Sequence, residues 1–240
     1  MSEISERIFN IESVNWGPHE LTCVSIESEP WYMKKEDPVL VPRDWRQQIA
    51  EQLDEVDVVF PEYFIPELER TVFNLPVIGW QAKEYAKKRM SVYRKLTTML
   101  ANERKPVAAA DIANGVTFLV GDCELQDWIF GALGQGPYKV RPTSIERRIP
   151  TATEARRVFT ARAIRQTAES YPDGAKFMYV AAPAHVSRVK KYVTQEPNWR
   201  DDLRFHRLKR QYAPFGCRTR FYDYDVDDGC WQLTEKRAIR

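Results

Sequence analysis

The segment VDVVFPE, residues 56–62, is the clearest indication of fold class in this chain. Val56–Pro61 is short and apolar apart from Asp57, which is typical of a strand buried on both faces in a parallel sheet. PVAAAD at 106–111 and KFMYVAAP at 176–183 have the same character. Parallel strands require long crossover connections, so helices are expected between these runs.

Helical patterns do occur between the apolar runs. Thr151 stands three residues before Glu154, the spacing of a capping box, which marks the start of a helix. Apolar spacing and good helix formers indicate the others. Helices are predicted at 43–55, 80–103, 152–171 and 184–193.

Four further segments complete the predicted fold. Strands are expected at LTCVSIE (21–27) and GVTFLVGD (115–122), and a short helix at ELQDWIFGAL (124–133). CRTRFYDYDVDDGCWQL (217–233) resembles two strands joined by an Asp/Gly turn. We therefore predict one α/β domain over residues 1–240, with a mainly parallel sheet flanked by helices and a C-terminal antiparallel hairpin.

Composition narrows the class of protein. The 240 residues, 43% hydrophobic, are enough to bury a sizeable core. No run of 18 apolar residues and no N-terminal signal pattern occurs, so we expect a cytoplasmic protein without a membrane span. The four cysteines show no CxxC spacing, which argues against a zinc ribbon or a disulfide framework. Cys217 and Cys230 could face each other across the hairpin, but reduced thiols are expected.

Polar residues beside the apolar runs are the candidate site. Glu62 follows one run, His185 follows another, and His19 precedes a third. Two imidazoles and a carboxylate suffice for a divalent-metal site with an open position, and Mn²⁺, Zn²⁺ or Fe²⁺ would suit them. Asp111 could add an oxygen ligand, although Asx-turn residues are common in such a loop. Instead of binding a metal, Glu62, His185 and His19 could each be a structural residue that is hydrogen-bonded in a helix cap, a loop or the core.

Arg156 is the candidate for binding an anion. It lies near the start of the predicted helix over 152–171. A guanidinium there could hold a carboxylate or phosphate through two hydrogen bonds. The neighbouring Arg157 leaves open which of the two faces solvent.

These residues together resemble the TraB/PrgY/Tiki group of the erythromycin-esterase-like and ChaN-like superfamily. The similarity covers about residues 14–195 by order of elements, with 196–240 as an extension, and the best match is EARRVFTARAI followed by KFMYVAAPAHVSRV. The chain departs from the group's G-x-x-H pattern at Ala182, where glycine is expected. The resemblance implies a metal-dependent hydrolase with His19, Glu62 and His185 on the metal and Arg156 at the substrate, or a degenerate relative. The substrate would be a small molecule or peptide, and the basic C-terminal half suggests an anionic one.

Two other functions remain as alternatives. VDVVFPEYF is similar to the glutamate-bearing strand of nitrilase-type amidases, with Cys123 as the nucleophile. The other alternative is a protein that binds nucleic acid or another polyanion. Residues 121–240 carry 22 Lys and Arg against 15 Asp and Glu, whereas residues 1–120 carry 14 Lys and Arg against 19 Asp and Glu. Aromatic residues among the basic ones could stack on bases. They are Tyr192, Trp199, Phe205, Tyr212 and Phe215.

Overall fold

Seven strands form one mixed sheet in the computed structural model of the protein, which describes residues 9–26, 42, 44–66, 91–112, 149–196, 198–212 and 217–240. The strands are β1 (Phe9–Trp16), β2 (His19–Ile26), β3 (Val58–Pro61), β4 (Val107–Ile112), β5 (Lys176–Ala181), β6 (Cys217–Asp225) and β7 (Cys230–Ala238). Their order across the sheet is β1-β2-β5-β3-β4-β6-β7.

The centre of the sheet is parallel and its two sides are antiparallel. β2, β5, β3 and β4 pair in parallel, whereas β1 pairs with β2, β6 with β4 and β7 with β6 in antiparallel register. The α/β class and the C-terminal hairpin are therefore confirmed. β1 was not predicted, because FNIESVNW mixes polar and apolar residues as a strand at the edge of a sheet does.

Five helices are described on the two faces of the sheet. They are α1 (Trp45–Leu53), α2 (Ser91–Asn102), α3 (Ile149–Ala168), α4 (Pro183–Thr194) and α5 (Trp199–Tyr212). Side chains of α1 and α2 contribute to one core cluster with Val59 and Val180, and those of α3, α4 and α5 to a second with Phe60 and Phe177. Adjacent residues of each buried strand thus supply opposite cores, as expected for a sheet covered on both faces. No helix of the described ranges is long and apolar enough to cross a bilayer.

The capping-box prediction is wrong, and other predicted elements lie outside the described ranges. α3 begins at Ile149, so Thr151 is inside the helix and is not its N-cap. Glu154 instead pairs with Arg157 and Arg204. Cys217 and Cys230 lie at opposite ends of the β6–β7 hairpin, so the two do not face each other across it. The strand predicted at 115–122, the helix at 124–133 and residues 80–90 of another helix fall outside the described residues.

The turn before β5 requires glycine at position 174. Gly174 has φ +104°, and a Cβ atom there would overlap the carbonyl oxygen of Pro18 in the β1–β2 turn. We expect Gly174→Ala to reduce the free energy of unfolding by about 2–3 kcal/mol, since it adds both backbone strain and a steric clash. Urea denaturation monitored by circular dichroism measures this. Gly17→Ala is the matched control, because Gly17 also has a positive φ of +59° but open space around it.

Gly17→Ala should cost only the strain of a left-handed conformation, about 1–2 kcal/mol. Equal losses for the two variants would contradict the close approach of the two turns.

Candidate functional site

The carboxyl ends of β3 and β5 bring Glu62 and His185 to the same edge of the sheet. β3 and β5 are adjacent and parallel, and the backbone N–H of Glu62 donates to the Val180 carbonyl at 2.8 Å. Pro183 begins α4 directly after β5, which makes His185 the third residue of that helix. Loops and helix starts at the carboxyl ends of parallel strands are where α/β folds place ligands.

The Glu62 carboxylate is the centre of the cluster. Its Oε1 accepts a hydrogen bond from Arg156 Nη2 at 2.9 Å and lies 3.5 Å from His185 Nδ1. Its Oε2 accepts from the Ala182 backbone N–H at 3.0 Å and from the Tyr93 hydroxyl at 3.3 Å. The side chain is only 4% exposed. A carboxylate so deeply buried requires such partners.

Glu62 is ionised in this setting. Burial alone raises the pKa of its carboxyl, but His185, Arg156, the Ala182 N–H and the Tyr93 hydroxyl outweigh burial and lower the pKa. Because His185 is neutral at neutral pH, the lasting positive charge beside Glu62 is the guanidinium of Arg156. The cluster therefore contains a fixed, buried ion pair with a neutral imidazole next to it.

His185 is more exposed than Glu62 or Arg156. Its side chain is 15% exposed. Burial lowers the pKa of the imidazole to about 4, with Arg156 and Arg157 adding to this effect and Glu62 opposing it. A carboxylate beside Nδ1 favours the tautomer with the proton on Nδ1, which leaves the lone pair of Nε2 as an acceptor. His185 can therefore act as a base.

Arg156 is held in place from two sides. It is the eighth residue of α3, not in its first turn as predicted, and its side chain is 8% exposed. Besides Glu62, its Nη1 donates to the Tyr63 hydroxyl at 3.4 Å, and its guanidinium lies 5.0 Å from the centre of the Tyr63 ring. These contacts fit a residue that positions Glu62 better than one that binds substrate directly.

Two tyrosines of the cluster were missed by the sequence analysis. Tyr63 and Tyr93 pack edge to face with ring centres 5.0 Å apart. Burial and the nearby Glu62 raise the pKa of Tyr93 well above its usual value, so its hydroxyl stays protonated and donates to Glu62. Tyr63 follows Glu62 directly and could have been suspected. Tyr93 lies in a predicted helix, 31 residues after Glu62, and nothing in the sequence around it indicates a contact with Glu62.

The prediction that His19 shares this site is wrong. His19 begins β2, and its Nδ1 accepts from the backbone N–H of Ala175, just before β5. Its ring packs against Trp16 and Phe177, with ring centres 4.9 and 5.9 Å away. Because β2 and β5 are parallel, His19 lies at the amino edge of the sheet, about 20 Å from Ala182 at roughly 3.3 Å per residue.

The described donor set does not fit the predicted metal. With His19 at the other edge, only Glu62 and His185 of the three predicted ligands meet, and both Glu62 oxygens already accept hydrogen bonds. Arg156 also places a positive charge where a cation would bind. No group of three His, Cys, Asp or Glu that could hold a metal ion occurs among the described residues. The side chain of Asp111 and the whole of Cys123 lie outside them.

Of the three aromatic side chains suggested for stacking on nucleic-acid bases that the structure describes, two are engaged with other residues of the protein. Phe205 is buried against Phe159, with ring centres 5.6 Å apart. The Tyr192 hydroxyl donates to Glu154, while Trp199 is 65% exposed. Phe215 and the side chain of Tyr212 are outside the described residues. The polyanion hypothesis stays a prediction.

The described cluster joins residues from β3, α2, α3 and α4 around one carboxylate. Comparison with protein-family models, curated proteins and solved structures finds no match to this chain.

Proposed function

We propose that the protein is a hydrolase in which His185 is the general base, Glu62 orients it and Arg156 positions Glu62. The observation that carries this proposal is the neutral, partly exposed imidazole 3.5 Å from a buried, ionised carboxylate. Carboxylate–imidazole pairs of this kind recur in hydrolytic enzymes, because the carboxylate fixes the tautomer and stabilises the imidazolium that forms.

Water is the nucleophile in the proposed reaction, and His185 carries one proton from it to the leaving group. Nε2 of His185 accepts a proton from a water molecule as the water oxygen bonds to the carbonyl carbon of an ester or amide. The imidazolium then gives that proton to the departing oxygen or nitrogen as its bond to the carbonyl carbon breaks. Glu62 stays ionised throughout, because Arg156 and the Ala182 N–H stabilise its charge. No metal takes part in this proposal, since the described donors do not fit one.

The pH dependence of hydrolysis tests the proposal. With a pKa of about 4, His185 is unprotonated well below the usual value of 6.5. A screen of p-nitrophenyl esters and chromogenic peptide amides would first identify a substrate. We expect kcat/KM for that substrate to stay level down to about pH 5 and to fall with an apparent pKa near 4, because protonation removes the base. EDTA should leave the rate unchanged.

Unfolding must be separated from titration in this experiment. The pKa values of Glu62 and His185 are both lowered in the folded protein, so the unfolded chain binds more protons and stability falls as the pH drops. For His185 this loss develops between 6.5 and about 4. Circular dichroism at each pH provides the check. A folded enzyme whose rate falls with a pKa near 6.5, or whose activity EDTA abolishes, would contradict the proposal.

A further inference from the structure

A cavity of about 570 Å³ lies outside the Glu62 cluster, among α3, α5, the end of α4 and the β1–β2 turn. This volume is in the range of sites that bind small organic molecules. Part of its wall is apolar, with Val158, Ala161 and Ala168 of α3 and the half-buried Trp16. The small side chains of α3 leave room for a flat group beside Trp16.

Charged side chains of both signs line the cavity: Arg162, Arg165, Arg204 and Arg240 with Glu169, Asp201 and Asp202. Arg162 is paired with Asp202 and also donates to the Arg240 carbonyl at 2.9 Å. Its guanidinium lies 4.1 Å from the centre of the Phe205 ring. Arg204 is paired with Glu154. These two arginines are therefore neutralised by carboxylates of the protein.

Arg165 is different. One turn after Arg162, it donates a single hydrogen bond, from Nη2 to the Gln195 carbonyl at 2.7 Å. No carboxylate of the described residues lies within ion-pairing distance of it. A guanidinium has five N–H donors, so most of those on Arg165 remain for a ligand.

The electrostatic setting of Arg165 is unfavourable without an anion. Burial lowers the pKa of its guanidinium, and repulsion from Arg162 adds to this, against a smaller effect of Asp201 in the other direction. A bound anion would offset both effects, because it supplies the opposite charge to two neighbouring guanidiniums.

We propose that this cavity binds a small aromatic anion, with the carboxylate or phosphate group of the ligand on Arg165 and its ring beside Trp16. Two parallel N–H donors of the guanidinium match either oxyanion. The proposal does not depend on hydrolysis at Glu62, because it uses none of the residues of that cluster.

Calorimetric titration with phenyl phosphate and with benzoate tests the proposal, and the stronger binder identifies the preferred oxyanion. Phenol, which is uncharged at neutral pH, should bind far more weakly than either. Arg165→Gln should weaken binding of the preferred probe at least about tenfold, the size of effect expected when a charged hydrogen-bond donor is lost. Arg165→Lys keeps the charge but not the paired donors, and should weaken it several-fold.

Arg207→Gln is the matched control. Arg207 is exposed on α5 and does not line the cavity, so removing its charge should change the affinity less than about twofold in physiological salt. Thermal denaturation followed by circular dichroism shows that each variant is folded. Should Arg165→Gln fail to fold, Arg165→Lys decides. Failure of the unaltered protein to bind either anion, or equal weakening by the Arg165 and Arg207 variants, would overturn the proposal.

Discussion

Replacing Glu62 by alanine is expected to reduce the free energy of unfolding by about 3–5 kcal/mol, the usual cost of breaking a buried ion pair from one side. The change removes the carboxylate that Arg156 contacts at 2.9 Å. The Arg156 side chain is only 8% exposed, so its charge would stay buried without the Glu62 carboxylate. It also removes the acceptor for the Ala182 N–H and the Tyr93 hydroxyl. Urea denaturation followed by circular dichroism gives the free energy directly.

Two further variants test whether burial of the ion pair causes the loss of stability expected for Glu62→Ala. Glu55→Ala removes an exposed carboxylate that pairs with Lys176, and should leave the unfolding midpoint nearly unchanged. The double variant Glu62→Leu with Arg156→Met removes both buried charges and should recover part of the stability that Glu62→Ala loses. A Glu62→Ala protein as stable as the original would contradict the buried pair.

His185→Ala is expected to lower kcat/KM for the substrate found by screening by about 10²–10⁴, the usual contribution of a general base. Its melting temperature should change little, since Glu62 Oε1, 3.5 Å from His185 Nδ1, keeps its hydrogen bond from Arg156 in the variant, and the His185 side chain is partly exposed. The measurement is a rate assay on protein shown to be folded. Loss of activity without loss of stability separates a catalytic role from a structural one.

His206→Ala is the control for removing an imidazole. His206 is exposed on α5 and should be dispensable for both rate and stability. If His185→Ala retained full activity, a role for this imidazole as base would be excluded. Activity lost together with the fold would instead make His185 a structural residue.

The sequence predicted the central strands well because their signal is local. Val56–Pro61 was predicted and Val58–Pro61, the continuously apolar part after Asp57, is observed. Such a run is buried in almost any arrangement of the neighbouring strands. The order of the strands has no such signal. β5 lies between β2 and β3 although about 115 residues separate it from β3, and only packing of the whole chain decides that.

The error over His19 has a physical explanation that the sequence already contained. Glu62 and His185 follow their strands, whereas His19 is the first residue of its strand. Starts and ends of parallel strands lie at opposite edges of a sheet, so these residues could meet only if β2 ran the other way. The direction of each strand, and not only a residue's closeness to a strand, determines which polar residues can meet in one site. Tyr93 was beyond prediction, because its contact with Glu62 depends on how α2 packs.

The position of β5 between β2 and β3 also bears on how the protein folds. Both neighbours of β5 in the sheet come much earlier in the sequence. Each pairing therefore closes a long loop, and the chain loses conformational entropy before the new contacts compensate for it. Topologies dominated by such distant pairings fold slowly. During synthesis, residues 9–112 must wait for β5 before the middle of the sheet can close, with one edge of β3 and one of β2 left unpaired until then. The nascent chain is therefore most exposed to aggregation before residue 181 has left the ribosome.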